Sequence, residues 1–185
     1  MNQEILEARF THDEIVRKYN RIASVYDLFG ILKESKPRQR ALNLAAIQDG
    51  EKILEVALGT GLNFVEILKR NPCGRVDGID ISMKMLERAR KRIAKIGRHN
   101  YALYLCDCRH LPFEDKTFDA LMNQYMFDIL PKLKPPVLAG CRGGFVRPFL
   151  EETGFKGIQR EFVSQLGFPS EVVRGIKKMD GVGNF

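Results

Sequence analysis

The stretch Leu54-Glu55-Val56-Ala57-Leu58-Gly59-Thr60-Gly61 decides the fold. It joins a short apolar strand over residues 52–56 to residues 62–70, which have the periodicity of an amphipathic helix. A glycine turn between a parallel strand and a helix lets the backbone approach a ligand closely, in the crevice at the carboxyl ends of the strands. The stretch therefore predicts an α/β domain with a ligand site at this turn.

The same alternation of strand and helix continues along the chain. Residues 75–80 and 101–106 have the pattern of further strands, and residues 118–123 that of a fourth. Between the second and third strands, Ser82 is a good N-cap for a helix over residues 82–96. This order predicts a Rossmann-like parallel sheet with helices on both faces.

The flanking segments predict additional elements on either side of this core. Residues 13–30 predict an amphipathic helix or two short ones, and a further helix is predicted to begin after Pro37. At the other end, a helix over residues 146–153 precedes an antiparallel hairpin, a common way to finish a parallel sheet. The hairpin strands are predicted over 158–163 and 172–176, with a longer turn at Gly167-Phe168-Pro169.

Asp80 adds chemistry to the glycine turn. It lies 19 residues beyond Gly61, at the end of the second predicted strand, where a carboxylate can accept hydrogen bonds from both hydroxyls of a ribose. The turn and this acid together predict a cofactor that carries a nucleoside. The alternative, that the acids here only cap helices, stays open.

The residues around the turn narrow the kind of nucleoside cofactor. A dinucleotide site needs a third glycine inside the helix, and the bulky Phe64 stands there. A phosphate-binding P-loop is excluded because no Lys-Ser or Lys-Thr follows the glycines. Glu55 brings a carboxylate to the entrance of the turn, which suits an ammonium and a sulfonium and would repel a pyrophosphate.

In these motifs the chain resembles class I S-adenosylmethionine-dependent methyltransferases, in particular the branch of ubiquinone/menaquinone-biosynthesis C-methyltransferases and phospholipid N-methyltransferases. The resemblance covers roughly residues 15–130 and rests on three segments. These are Tyr19-Asn20-Arg21-Ile22-Ala23-Ser24-Val25-Tyr26-Asp27, the glycine-turn stretch, and Asp107 with Leu111-Pro112-Phe113 and Phe118-Asp119-Ala120.

The resemblance implies a set of cofactor-binding residues and assigns no catalytic residue. It implies S-adenosylmethionine as cofactor and S-adenosylhomocysteine as product. Ala57 stands where the family usually has its first glycine, and its methyl group is tolerated if the local φ is negative. The implied residues are Glu55, Ala57, Gly59, Thr60 and Gly61 at the methionine end, Asp80 at the ribose, Ile81 and Met85 beside the adenine, Asp107 and Cys108 at the adenine amino group, Asn123 near the methionine part and substrate, and Tyr19 and Tyr26 on a closing arm.

The chain departs from the family pattern after Leu130. Residues 131–136 pass almost directly to Gly140-Cys141-Arg142-Gly143-Gly144, so the fifth strand and its neighbouring helices are predicted to be missing, unless residues 137–138 form a very short strand. We therefore expect a single domain of 185 residues with a helical arm (1–36), a cofactor-binding half (37–130) and a shortened C-terminal half (131–185). The shortening argues against full activity.

Composition limits the partners and the compartment. The content of 44% hydrophobic and 29% charged residues excludes a disordered chain, and no apolar run approaches a membrane span. With no signal-peptide pattern at Met1, a cytoplasmic protein is expected. The four cysteines include no CxxC pair, so no metal site is predicted, although Cys106 and Cys108 share one face of a strand.

Three functions remain open at this stage. The motifs favour methyl transfer to a small-molecule, quinone-like or lipid acceptor. A cofactor-binding but catalytically impaired protein is the first alternative, and an RNA methyltransferase, suggested by the net charge of +7, is the second. A solvated helix face explains the basic run over residues 88–98 better than a nucleic-acid surface does, and peripheral contact with a membrane stays open.

Overall fold

The computed structural model describes residue 17, residues 26–123 and residues 150–177. Its elements alternate as the sequence predicts, and residues 150–152 add a short helical segment before the last two strands. In chain order the elements are α1 (Tyr26–Ala45), β1 (Lys52–Val56), α2 (Leu62–Arg70), β2 (Arg75–Asp80), α3 (Met83–Ala94), β3 (Tyr101–Leu105), β4 (Ala120–Asn123), β5 (Lys156–Gln165) and β6 (Phe168–Ile176).

The first four strands form one parallel sheet in the order β3-β2-β1-β4. Chain order therefore reverses beside β1, which is the switch point where open α/β sheets bind ligands. The bounds of β1, α2 and β2 agree with the predicted ones, and β3 and β4 are one and two residues shorter. The α/β fold class with a C-terminal antiparallel hairpin is confirmed.

The hydrophobic core lies between this sheet and the helices. Phe64 is fully buried on α2, at the position where a dinucleotide site would need its third glycine. Space for the ring comes from Gly78 on β2, where an added Cβ would lie 2.7 Å from Phe64 Cε2 and 2.7 Å from Leu58 Cδ2. Phe64 therefore packs directly on the backbone of β2, and the two residues act as a pair.

Gly78→Ala should destabilise the domain by about 1–3 kcal/mol, because the new methyl group overlaps the Phe64 ring and the Leu58 side chain. Urea unfolding followed by circular dichroism measures this free energy. In the double variant Gly78→Ala/Phe64→Leu, the smaller side chain should recover part of the loss. Strict additivity of the two single changes would show that the two residues are not coupled.

Helix α1 corrects the predicted break at Pro37. The structure has one helix with Pro37 inside it, where separate helices before and after the proline were expected. A proline opens its helical turn, and here Gln165 of the hairpin supplies an acceptor to that turn. Its Oε1 accepts from the Lys36 N–H at 2.7 Å and from Ser35 Oγ at 3.2 Å. A tertiary contact thus binds the backbone of the helix directly before the proline.

The hairpin forms a two-stranded antiparallel sheet of its own, and no described residue pairs it with the parallel sheet. The predicted long turn at residues 167–169 is wrong. Leu166 and Gly167 make a tight turn with φ of 51° and 79°, as in the primed turns that match the twist of a hairpin. Phe168 and Pro169 consequently belong to β6, paired with Gln165 and Ser164.

Some predictions fall outside the described residues. The predicted helix over 13–30 is described only at residue 17 and from Tyr26 onward. The segment expected to be shortened, residues 131–149, lies outside as well, and so does Cys141. At the end of that segment, residues 150–152 are helical and Gly154 turns the chain with a φ of 88°, as predicted.

Candidate cofactor site

The carboxyl ends of β1 and β2 meet at the glycine turn. Leu58 N–H donates to the Ile79 carbonyl at 3.1 Å, and Gly59 N–H donates to Asp80 Oδ2 at 2.8 Å. These two bonds continue the contact between the strands beyond their last paired residues. The turn is thereby fixed against the end of β2, with Asp80 directly beside it.

Asp80 holds two elements at once. Its Oδ1 accepts from Ser82 N–H at 2.8 Å, while Ser82 Oγ in turn accepts from Met85 N–H at 3.2 Å and caps α3. The Asp80 side chain is buried, which raises the pKa of its carboxyl, and the backbone N–H groups of Ser82 and Gly59 oppose that rise. Each carboxylate oxygen can accept a further bond, so the residue keeps capacity for ribose hydroxyls.

Residue 61 favours glycine for two reasons: its φ is positive, and a side chain would have no room. Its φ is 78°, and an added Cβ would lie 3.0 Å from Ala89 Cβ on α3. Gly59 has a φ of 57° with open space around it, so only its backbone conformation calls for glycine. Between them Thr60 is buried. The turn therefore brings the start of α2 close to α3 and leaves one side of Gly59 open.

Ala57 does not have the negative φ with which its methyl group was expected to be tolerated. Its φ is +55°, in the left-handed region that disfavours a side chain with a Cβ. The family glycine at this position is explained by that backbone conformation. The alanine keeps the conformation at a cost in stability.

Ala57→Gly should raise the free energy of unfolding by about 1 kcal/mol, because it removes the steric cost of the left-handed conformation. The matched control is Ala41→Gly, within α1, which should lower that free energy by about 0.5–1 kcal/mol. Urea unfolding measures both changes. Equal destabilisation by the two substitutions would rule out strain at Ala57.

Glu55 is more deeply buried than its expected place at the entrance of the turn implies. It is 2% exposed, and its Oε1 accepts from Asn63 Nδ2 at 2.8 Å. Two acceptor atoms here, Glu55 Oε2 and Asn63 Oδ1, are buried without a hydrogen-bond partner among the described residues. Such oxygens are rare in folded proteins, and they fit a ligand that brings positive charge or N–H donors.

The charge of Glu55 depends on this environment. Burial raises the pKa of its carboxyl to about 8, while the Asn63 bond and the Arg38 charge oppose the rise and the Asp80 charge adds to it. At pH 7 the neutral acid is the main form when no ligand is bound. Asn63 has a weak signal in the sequence, as a polar residue within the apolar start of α2, and Arg38 on α1 has none.

Glu55→Gln should stabilise the protein increasingly as pH rises from 5 to 7. Because the folded pKa of Glu55 lies above its ordinary value, the native state keeps a proton that the unfolded chain has released, and stability is lost as pH increases in this window. The loss approaches about 1.4 kcal/mol per pH unit, and glutamine does not share it. Unfolding in urea at several pH values tests the difference.

The control for that series is Glu66→Gln on α2, whose partly exposed carboxylate pairs with Lys69. It corrects the series for the general effect of replacing a glutamate by glutamine. A Glu55→Gln difference that does not change with pH would mean that Glu55 is ionised in the folded protein.

The third predicted acid, Asp107, follows β3. Cys106 N–H donates to the Asp80 carbonyl at 3.0 Å, so this loop lies next to the end of β2. The Asp107 carboxylate is held by Arg109, whose Nη2 is 2.5 Å from Oδ2 and whose backbone N–H donates to Oδ1 at 2.9 Å. Arg109 had no signal in the sequence. A ligand at Asp107 would share the carboxylate with this guanidinium.

The remaining predicted residues lie at different distances from the turn. Asn123 ends β4, half-buried and in register with Val56 of β1. Met85 is fully buried, Ile81 is half-buried, and Cys108 is half-buried with the pKa of its thiol raised by burial. The structure thus gathers residues 55–61, Asp80 and Asn123 at one edge of the sheet. Tyr19 and the side chain of Tyr26 lie outside the described residues.

Residues 26–123 and 150–177 contain neither a metal-binding cluster nor a membrane-spanning helix. Within these ranges, no group of three or more His, Cys, Asp or Glu residues could hold a metal ion. No helix there is long and apolar enough to cross a membrane. On α3, the basic residues Arg90, Lys91 and Lys95 are exposed, which agrees with a solvated face.

Comparison with known families gives the class of the protein. Residues 53–143, from β1 onward, match the methyltransferase domain family. This match, together with the named relatives and the fold, supports a class I S-adenosylmethionine-dependent methyltransferase, a family whose cofactor is S-adenosylmethionine.

Within that class, the relatives lie in the quinone and phospholipid branch. The chain is 36% identical over 122 residues to a phosphatidylethanolamine N-methyltransferase of Cereibacter sphaeroides, covering 65% of this chain and 57% of the relative. It is 37% identical over 124 residues to a demethylmenaquinone methyltransferase of Thermotoga maritima, covering 63% and 51%. The chain spans about half the length of the curated relatives it matches.

Solved structures agree in fold. Magnesium protoporphyrin IX methyltransferase from Synechocystis PCC 6803, solved with bound S-adenosylmethionine, has a TM-score of 0.70 at 15% identity, covering 92% of this chain and 99% of that chain. A SAM-dependent methyltransferase from Aquifex aeolicus has a TM-score of 0.57 at 18% identity, covering 91% and 100%. At these identities the likeness concerns the fold.

Proposed function

We propose that this protein binds S-adenosylmethionine at the edge formed by β1, β2 and β4, and transfers its methyl group to a small-molecule, quinone-like or lipid acceptor. The observation that carries the proposal is the joint position of Glu55, the glycine turn and Asp80. The buried oxygens without partners support a cationic ligand at one end of the site, and Asp80 supports a ribose at the other. The names of the relatives support the acceptor classes.

The proposed roles follow from these positions. The backbone around Gly59 and Gly61 would lie against the methionine end, near the carboxylate of Glu55. Asp80 would accept bonds from the ribose, and Asp107 with Cys108 would lie at the adenine. Asn123 ends β4 beside β1, so it would face the reacting methyl group and the acceptor. Tyr19 and Tyr26 would belong to the arm over the cofactor.

The chemistry asked of the protein is chiefly alignment. S-adenosylmethionine supplies an electrophilic methyl group on a sulfonium. The transfer is an in-line displacement, so the residues of the site contribute by fixing donor and acceptor in line and by excluding water. Hydrogen bonds from backbone N–H groups, such as that from Gly59 to the Asp80 carboxylate, would fix the site in this orientation without a dedicated acid or base.

Asp80→Asn should weaken binding of S-adenosylmethionine on the order of 10- to 100-fold, because an N–H donor replaces one of the two acceptor oxygens available to the ribose hydroxyls. Isothermal titration calorimetry measures the affinity. Asp77→Asn is the matched control, since Asp77 lies on the same strand and pairs with Arg75. Unchanged affinity in Asp80→Asn would contradict the proposed role of Asp80.

Transfer itself requires a second assay. The purified chain, incubated with S-adenosylmethionine carrying a labelled methyl group, should label either a demethylated menaquinol analogue or phosphatidylethanolamine in vesicles. Label in neither acceptor, with cofactor binding intact, would favour the alternative of a cofactor-binding but catalytically impaired protein. The departure from the family pattern after Leu130 motivates that alternative.

A further inference from the structure

We propose that cofactor binding expels one proton from Glu55, so that occupancy of the site is coupled to pH through the amino-acid end of the ligand. This inference rests on the proposed function. It adds that binding of the amino-acid end of the ligand depends on pH through Glu55, whereas binding of the adenosine part does not. The carboxyl group of Glu55 carries its proton while the site is empty and loses it when the ligand is bound.

The geometry places an incompletely bonded carboxyl beside the turn. Glu55 lies in the buried part of β1, just before its last residue, and is 2% exposed. It receives one hydrogen bond, from Asn63 Nδ2, and its Oε2 has no partner among the described residues. A buried carboxylate with a single donor is poorly stabilised as an anion, so the side chain keeps its proton until positive charge arrives.

The charged groups around Glu55 balance one another in the empty site. From α1, Arg38 favours the carboxylate, and from β2, Asp80 disfavours it. From α2 the facing group is the neutral Asn63, and on β4 the residue in register is the neutral Met122. Desolvation therefore decides the outcome and raises the pKa of Glu55 to about 8.

A bound cofactor changes this balance by one positive charge. Its ammonium carries three N–H donors, and an opposite charge within about 4–6 Å favours the ionised form of a carboxyl even without direct contact. The O–H bond of Glu55 breaks, both electrons stay on the carboxylate oxygen, and the proton passes to the solvent. No covalent bond to the ligand forms, and the ligand itself is unchanged.

Two ligands isolate the amino-acid end in the first experiment. S-adenosylhomocysteine carries the ammonium, and 5′-methylthioadenosine has the same nucleoside without the amino acid. Calorimetry at pH 7 in two buffers of different ionisation enthalpy counts the protons released. We expect S-adenosylhomocysteine to release roughly one proton more than 5′-methylthioadenosine. Asp80 faces the ribose that both ligands share, so its titration cancels in the difference.

The pH profile gives the same quantity independently. From pH 6 to 7, affinity for S-adenosylhomocysteine should rise about tenfold relative to that for 5′-methylthioadenosine, the value for one released proton. In Glu55→Gln, the two ligands should release equal numbers of protons and have parallel profiles. Asp77→Asn, the control on β2, should keep the release.

The outcomes separate the inference from the proposed function. Binding of S-adenosylhomocysteine with no more proton release than 5′-methylthioadenosine overturns the inference and leaves the proposed function standing. Release that persists in Glu55→Gln overturns it too, because the proton then comes from another group. If neither ligand binds the parent protein, the proposed function fails and the inference fails with it.

Discussion

The hydrogen bond from Gly59 N–H to the Asp80 carboxylate is the constraint on which the site depends. It joins the turn after β1 to the end of β2, and the other oxygen of the same carboxylate anchors Ser82, the N-cap of α3. Three elements are thus fixed by one buried side chain. The absence of a side chain at Gly61 suits this closeness, since an added Cβ would lie 3.0 Å from Ala89 Cβ of α3.

The two buried acids of the site have different hydrogen-bond environments. Asp80 lies among backbone N–H groups that stabilise its charge, whereas Glu55 has one amide donor and an oxygen without a described partner. A nucleoside with a cationic amino-acid end matches this difference, because hydroxyls suit the first acid and an ammonium suits the second. Specificity here comes from the unequal solvation of two similar side chains on neighbouring strands.

The elements that the sequence predicts well are those whose signal is local. Strands β1 and β2 and helix α2 have clear periodicity and glycine boundaries, so the predicted first and last residues agree with those of the structure. The predictions that failed concern positions where a distant partner decides. Pro37 lies within a helix whose preceding residue, Lys36, bonds to the distant Gln165, and the burial of Glu55 depends on how the elements pack around it. Ala57 keeps a left-handed φ that the sequence pattern alone did not predict.

The brace between α1 and the hairpin has a consequence for the order of folding. Gln165 reaches Ser35 and Lys36 across 130 and 129 residues, and Arg40 pairs with Glu161 across 121. Contacts of such long range cannot form on the ribosome until the last part of the chain has emerged. The contacts that brace the first described helix therefore form only after β5 has been synthesised. A chain released before β5 would carry the whole parallel sheet and an unsupported proline in α1.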